Sequence, residues 1–330
     1  MYHQFFDLEK NPFSITPDPN FLFLTAAHRE ALAALLFAIT CRKGFLVLTG
    51  DAGTGKTTLL RTILRRVSPD RTLFSLVVHP TLSTSEFLEY TLLDFGLKDI
   101  PASKAQRLNL FHQFLVRSAA EGKTPVLVVD EAHKLSPELL EEIRLLTNAE
   151  TAEQKLLQII LAGQNELTAV LARDDMRQLR QRIAVRVSIS PLNRNDLAEY
   201  MQTRWLRAGS SQPLPFTSDA MEAIAYYSAG IPRVINAISD AALISAFATE
   251  SRTIAAAQIH AAAKDLQLTP NHSVVDGRSS PATSSASRPP APSLTPPVAV
   301  NDHPFKTLER YAPRQDKRPG FMRWLAGAIG

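Results

Sequence analysis

The chain has 330 residues, enough for one large or two to three ordinary domains, and its 45% hydrophobic and 21% charged residues place it in the globular class. A single cysteine, Cys41, excludes a disulfide framework within the chain, a zinc finger and an iron–sulfur cluster, and fits a reducing compartment. The formal charge of +4 is uneven: residues 1–268 carry 28 Lys+Arg against 28 Asp+Glu and residues 269–330 carry 8 against 4, so a neutral body argues against strong nonspecific DNA binding.

The opening Met1-Tyr-His-Gln-Phe-Phe-Asp-Leu-Glu-Lys10 lacks the basic and then apolar run of an export leader. Apolar runs such as Pro125–Val129 fall far short of the roughly 18 residues a spanning helix needs. Neither a leader nor a membrane span is therefore expected, and the location expected is cytoplasmic. Apolar spacing then predicts a helix over 26–40, a strand over 44–49, a helix over 56–67 and a strand over 72–78. Helices follow over 84–95 and 105–120, a strand over 125–129, a helix over 137–146 and strands over 156–161 and 185–190. Strands that are apolar throughout suit a parallel sheet covered on both faces, an α/β domain over residues 1–192. Four further helices, over 195–207, 218–228, 232–248 and 255–266, predict a small helical domain over 193–268. Thr269–Val300 holds 7 Pro, 7 Ser, 4 Ala and 3 Thr in 32 residues, the composition of a disordered linker. The basic stretch behind it reads either as a disordered end or as a short segment that docks on a partner or a membrane surface.

Gly50-Asp51-Ala52-Gly53-Thr54-Gly55-Lys56-Thr57 matches the phosphate-loop pattern G-x-x-x-x-G-K-[ST] and stands between a strand and a helix, as that loop requires. Its glycines let consecutive N–H groups face phosphate oxygens, and the following helix adds partial positive charge. Lys56 would reach the β and γ phosphates, Thr57 would offer a hydroxyl to Mg2+, and Thr58 completes the nucleotide-binding set. The run Val126-Leu-Val-Val-Asp130-Glu131-Ala-His133 places two carboxylates at a strand end, with Asp130 73 residues after Thr57. Asp130 suits Mg2+ held through its water shell, and Glu131 suits the polarisation of an attacking water. His133 is expected to orient Glu131 or a neighbouring loop. The same four residues spell a helicase tetrad, but residues 193–268 read as helices only and leave no second sheet lobe of the kind such motors use.

Gln164 ends the next strand, where its amide could contact the γ-phosphate or the attacking water; Asn165 could instead cap the helix that follows. Arg180, Arg182 and Arg186 stand just before the last strand, where an arginine can reach a neighbouring subunit's γ-phosphate; Arg182 ranks first and Arg186 second. Arg233 lies in the first turn of the helix over 232–248, where a cation opposes the helix dipole by about 0.3–1 kcal/mol, and it is expected to serve phosphate from the helical domain.

Together these residues resemble the AAA+ ATPases of the general secretion pathway protein A (ExeA-type) group, relatives of origin-recognition and transposition ATPases. The resemblance covers roughly residues 2–268. It is carried by Tyr2-His-Gln-Phe-Phe-Asp-Leu8, Asn11-Pro-Phe-Ser-Ile-Thr-Pro-Asp-Pro-Asn-Phe-Leu-Phe23, His28-Arg-Glu-Ala-Leu32 and the phosphate loop. Asp130–His133, Leu161-Ala-Gly-Gln164, Leu179-Arg-Gln-Arg-Ile183 and Gly230-Ile-Pro-Arg-Val-Ile-Asn236 carry the rest. The resemblance implies a P-loop NTPase fold with a helical lid, ATP and Mg2+ as cofactors, Lys56 and Thr57 as Walker A, and Asp130 and Glu131 as Walker B. It further implies Gln164 as sensor 1, Arg182 as the finger, Arg233 as sensor 2, and Ile15 to Pro17 near the adenine. Secretion-type members often continue into a membrane span and a periplasmic peptidoglycan-binding module; neither stands in this sequence, and the ATPase expectation does not depend on them. Gly163-Gln-Asn-Glu-Leu167 departs from the usual Gly-Gln-Pro-Glu-Leu.

The resulting expectation is an oligomeric ATPase whose lid closure moves or assembles a protein partner of an envelope machine, for secretion or for surface-polysaccharide export. Peripheral association with the inner membrane would accompany that role. One rival is an ATP-dependent DNA-binding ATPase of the transposition type. Another is a nucleotide switch that does not hydrolyse, against which Glu131 argues.

Overall fold

The structure, a computed structural model, describes residues 2–269 apart from Pro17, Pro69, His79 and Pro80. The expected linker and basic end, from residue 270 on, lie outside the described residues. In chain order the elements are α1 (Tyr2–Phe5), α2 (Ala26–Thr40), β1 (Phe45–Gly50), α3 (Lys56–Arg66), β2 (Thr72–Val77), α4 (Thr84–Asp94), α5 (Lys104–Ala120) and β3 (Thr124–Val129). They continue with α6 (Pro137–Leu146), β4 (Gln158–Gly163), α7 (Glu166–Ala172), α8 (Arg177–Arg182) and β5 (Ile183–Ile189). The last helices are α9 (Arg194–Arg207), α10 (Ser218–Ser228), α11 (Pro232–Ala248) and α12 (Ala256–Asp265).

The strands pair in parallel, in the order β2-β3-β4-β1-β5. Phe45, Val47, Leu127, Val129, Ile159 and Leu161 enter one core with α4 to α7, and the alternate residues Leu46, Leu48, Val126, Val128, Ile160 and Ala162 enter a second core with α2 and α3. Burial on both faces is why these strands read as unbroken apolar runs. Each of these side chains larger than Ala162 contributes about 1.5–3 kcal/mol of transfer free energy, so the faces, and no single contact, hold the sheet. Helix starts are fixed locally: the Thr25 hydroxyl caps α2, Ser83 and Glu86 form a capping box on α4, and Asn193 caps α9.

Two strands start two residues away from their expected positions, and the other three match to within one residue at each end. β4 begins at Gln158, two residues later than expected, because this fully buried amide accepts the Gly44 N–H at 2.7 Å and donates to the Lys155 carbonyl at 3.3 Å. β5 begins at Ile183, two residues earlier than expected, and Arg186 lies within the strand, opposite Val47, rather than just before it with Arg180 and Arg182. β5 is an edge strand, and its exposed residues alternate as Ala184, Arg186 and Ser188.

A third core joins the last helices to the N-terminal segment. Leu197, Met201 and Trp205 of α9, Ile224 of α10, Ile235 and Leu243 of α11 and Ile259 of α12 pack with Tyr2, Phe6, Phe13 and Phe21. Sequence order assigns those N-terminal residues to the 1–192 domain, whereas they pack with the helices that follow residue 193. The physical reason is size: four short helices expose more apolar face than they can cover among themselves. Polar contacts fix the seam. The Tyr2 hydroxyl donates to Asp240 Oδ1 at 2.5 Å, and Asn11 Nδ2 donates to the same oxygen at 2.9 Å. Burial, then the hydrogen bond to Asp240, pushes the Tyr2 phenol well above its ordinary value. Arg204 donates from Nε to the Pro12 carbonyl at 2.5 Å and from Nη2 to the Ser14 carbonyl at 3.3 Å, and its guanidinium lies 4.9 Å from the Phe21 ring centroid.

These helices meet the end of the sheet region at Gly230, whose φ is +75° and whose carbonyl accepts the Leu192 N–H at 2.8 Å. A Cβ at Gly230 would lie 2.0 Å from the Leu192 carbonyl oxygen. Gly230→Ala should therefore cost upward of about 2 kcal/mol in urea unfolding, from clash added to left-handed strain. Gly122→Ala, at φ +71° with nothing within 4 Å, should cost only the strain, about 1 kcal/mol.

Candidate active site

Because the strands run in parallel, β1, β3 and β4 deliver their C-terminal residues to one edge of the sheet: the Gly50–Gly55 loop, Asp130 with Glu131, and Gln164. In the loop, Lys56 is buried, and its ammonium donates to the carbonyls of Gly50 at 2.7 Å and Asp51 at 2.8 Å. Burial pulls that ammonium below its ordinary value, opposed by the carboxylates of Asp130, Glu131, Asp51 and Glu166. Thr54 folds back onto the Asp51 carbonyl at 2.8 Å. Beneath the loop, His28 Nε2 lies 3.1 Å from the Thr54 carbonyl and Nδ1 2.7 Å from the Thr25 hydroxyl. A carbonyl only accepts, so the proton of neutral His28 stands on Nε2 and the Thr25 hydroxyl donates to Nδ1. Burial pushes His28 below its ordinary value.

The Thr57 hydroxyl donates to Asp130 Oδ2 at 2.7 Å, while Oδ1 accepts the Glu131 N–H at 2.9 Å. Glu131 sits in the left-handed region, at φ 54° and ψ 31°, which costs a residue with a Cβ roughly 1–2 kcal/mol. Its carboxylate lies 3.2 Å from Lys134 Nζ and 3.8 Å from His133 Nε2. His133 Nδ1 accepts the backbone N–H of Gln164 at 3.3 Å, and its Nε2 lies 3.3 Å from the Gln164 side-chain amide. Asn165 makes no side-chain cap on α7; its Nδ2 donates to Asp51 Oδ1 at 2.5 Å and ties the end of β4 to the phosphate loop.

From the other side comes the start of α11. The Arg233 N–H faces the Gly53 carbonyl at 3.4 Å, and a Cβ at Gly53, whose φ is +81°, would lie 2.7 Å from the Arg233 Cβ. Only glycine lets helix and loop approach this closely.

Residues 40–171 match the family described as AAA domain. The chain is 42% identical over 267 residues to General secretion pathway protein A of Aeromonas hydrophila, covering 81% of this chain and 48% of that protein. Over residues 40–171 the chain has the fold of an AAA domain. It is also 24% identical over 186 residues to ATP-dependent target DNA activator B of Escherichia phage Mu, 55% of each. It thus spans about half the length of these curated relatives. Among solved structures it superposes on the ORC2 protein of Aeropyrum pernix with a TM-score of 0.59 at 16% identity, over 78% of this chain and 72% of that one, a likeness of fold.

The AAA core therefore gathers the loop residues, Thr57, Asp130, Glu131, Gln164 and the backbone of Arg233 in one place. The Arg233 side chain is exposed. Arg182 is engaged by its own chain, donating to the Thr147 hydroxyl at 2.6 Å at the end of α6, and Arg180 donates to the Ala172 carbonyl at 2.9 Å. Ile15 is exposed, and the Ser14 carbonyl accepts from Asn236, one turn along α11 from Arg233; Pro17 lies outside the described residues. Sequence reasoning missed His28, Lys134 and the Asn165–Asp51 bond as parts of the site. A threonine cap with histidine three residues on was the available signal for His28; the other two are contacts between separate segments.

His28 gives a pH prediction. Its folded value is depressed below 6.5, so as pH falls below 6.5 the unfolded chain takes the proton first. The stability it contributes is whole above 6.5 and is lost as pH falls through the folded value. His28→Gln should lose less stability on acidification than the unmodified chain in urea titrations, the other histidines cancelling in the difference.

Proposed function

We propose that this chain binds ATP with Mg2+ and hydrolyses its terminal phosphoanhydride, coupling lid and subunit motion to the assembly or operation of an export machine, for secretion or for surface polysaccharide. The observation that carries the reading is the 2.7 Å bond between the Thr57 hydroxyl and Asp130 beside the loop held by Lys56. A hydroxyl and a buried carboxylate are hard oxygen donors that suit Mg2+. Among the described residues no cluster of three or more His, Cys, Asp or Glu could hold a metal alone, as expected for an ion that takes further oxygens from a nucleotide and water. When bound, Mg2+ would neutralise charge on the β and γ oxygens.

In this reading the Gly50–Thr58 segment carries the phosphates, Glu131 polarises the attacking water, Gln164 orients it, and Arg233 follows the phosphate from a lid over residues 193–268. Residues 269–330 serve as linker and tail. Arg182, or Arg186 after it, would complete a neighbouring subunit's site in a homo-oligomer. The export role rests on the 42% identity to General secretion pathway protein A. The location we propose is cytoplasmic and peripheral at the inner membrane; among the described residues no helix is long and apolar enough to cross a membrane. Similarity to the phage DNA activator favours a second reading, an ATPase acting on DNA, which the neutral charge of residues 1–268 weighs against.

Calorimetry should find no ATP binding by Lys56→Ala, and Glu131→Gln should bind ATP while turnover falls by at least about 10²-fold. Full-strength binding by the first variant, or unchanged turnover by the second, would overturn the assignment. An arginine finger is worth roughly 10³–10⁵ in rate. Mixing Arg182→Ala chains with Lys56→Ala chains should therefore restore turnover that neither has alone. No recovery, with turnover per chain independent of concentration, would remove the shared site.

A further inference from the structure

His133 is nearly buried, with 12% of its side chain exposed, and it stands between the two strand ends that carry Glu131 and Gln164. Its contacts determine more than its own position. The backbone N–H of Gln164, 3.3 Å from Nδ1, is a donor that cannot become anything else. Nδ1 must therefore present its lone pair, and the neutral ring carries its proton on Nε2. That proton points at the amide group of Gln164, 3.3 Å away. An N–H facing an NH2 sets two donors against each other, whereas a half turn of the amide replaces nitrogen by oxygen in the same space and makes a hydrogen bond. Glu131 does not compete for the proton, because its carboxylate at 3.8 Å is beyond hydrogen-bond distance and is paired at 3.2 Å with Lys134.

We propose that His133 is a positioning residue that fixes the amide of Gln164 with its oxygen toward the imidazole, leaving both N–H donors of that amide for the oxygens of the terminal phosphate and the attacking water. The contact distinguishes between the two roles expected from the sequence: His133 acts on the neighbouring loop and not on Glu131. The choice of amide face matters chemically. A carbonyl turned to the phosphate would repel it, whereas an NH2 stabilises the negative charge that grows on its oxygens. Among the described residues His133 is the side chain that meets this amide, and hydrogen bonding has to make the choice because the oxygen and nitrogen of the amide have nearly the same shape.

This inference rests on the ATPase reading above, and its test separates the two. In the full chain, Gln164→Ala should lower kcat about 10²-fold, the loss of one preorganised donor, with little change in KM. His133→Ala should lower kcat by a comparable factor, and the double variant should be no worse than Gln164→Ala alone, because one residue acts through the other. Gln164→Glu keeps the acceptor for His133 and has no N–H to offer, so its kcat should fall as far as that of Gln164→Ala. Long-range 1H–15N spectra should show the Nε2-protonated tautomer of His133 in both the unmodified chain and Gln164→Glu. Additive losses in the double variant, a Gln164→Glu enzyme of normal kcat, or an Nδ1-protonated ring would overturn the proposal. An unmodified chain that fails to hydrolyse ATP would instead overturn the ATPase reading, and the tautomer would still decide the geometry.

Discussion

The parallel ladder that seats β4 between β1 and β3 is the constraint on which the site depends. Its register aligns Thr49 with Gly163 and Val129 with Leu161, so the phosphate loop, the Asp130–Glu131 pair and Gln164 leave the sheet nearly level. Both faces of these strands are buried, and a slip of one residue would exchange every side chain between the two cores. Chemical geometry at the edge is thus inherited from packing in the middle. The Thr57–Asp130, Asn165–Asp51 and His133–Gln164 bonds then tie the three strand ends together across their gaps.

A second set of contacts links that edge to the helices beyond it. Gly53 lets α11 approach the loop, and the Gly230–Leu192 clasp sets the angle at which α11 starts, so a shift of one cannot leave the other unchanged. Behind α11, Arg204 is a buried cation whose bonds go to the Pro12 and Ser14 carbonyls, the Tyr200 hydroxyl and the rings of Phe21 and Tyr200. Burying a charge this way is costly unless the acceptors are well placed, which fixes the path of the N-terminal segment over α9.

What could be read from the sequence follows from how local each cause is. The phosphate loop and the Asp130–Glu131 pair are written within a few adjacent residues, and two-faced burial makes the strands visible as apolar runs. β4 was displaced by two residues because Leu156 and Leu157 are as buried as the strand itself, and only the partners of Gln158 set its start. α7 and α8, with 7 and 6 residues, are too short for a helical period to show. The Arg182–Thr147 bond joins α8 to the end of α6, and no local pattern reports it. The same holds for the packing of Tyr2, whose partner Asp240 is 238 residues away.

That separation bears on how the chain is made. Phe6, Phe13 and Phe21 are synthesised well before α9 through α12, the helices whose surface buries them. The sheet can form while synthesis continues, but the N-terminal aromatics stay uncovered until almost the whole AAA region has been translated. Closing so long a loop is slow relative to local helix formation, and apolar segments waiting in the open are the ones that misassociate. Until α9 through α12 are made, these aromatics form an adhesive segment of the nascent chain, and the last helices of the fold are what remove it.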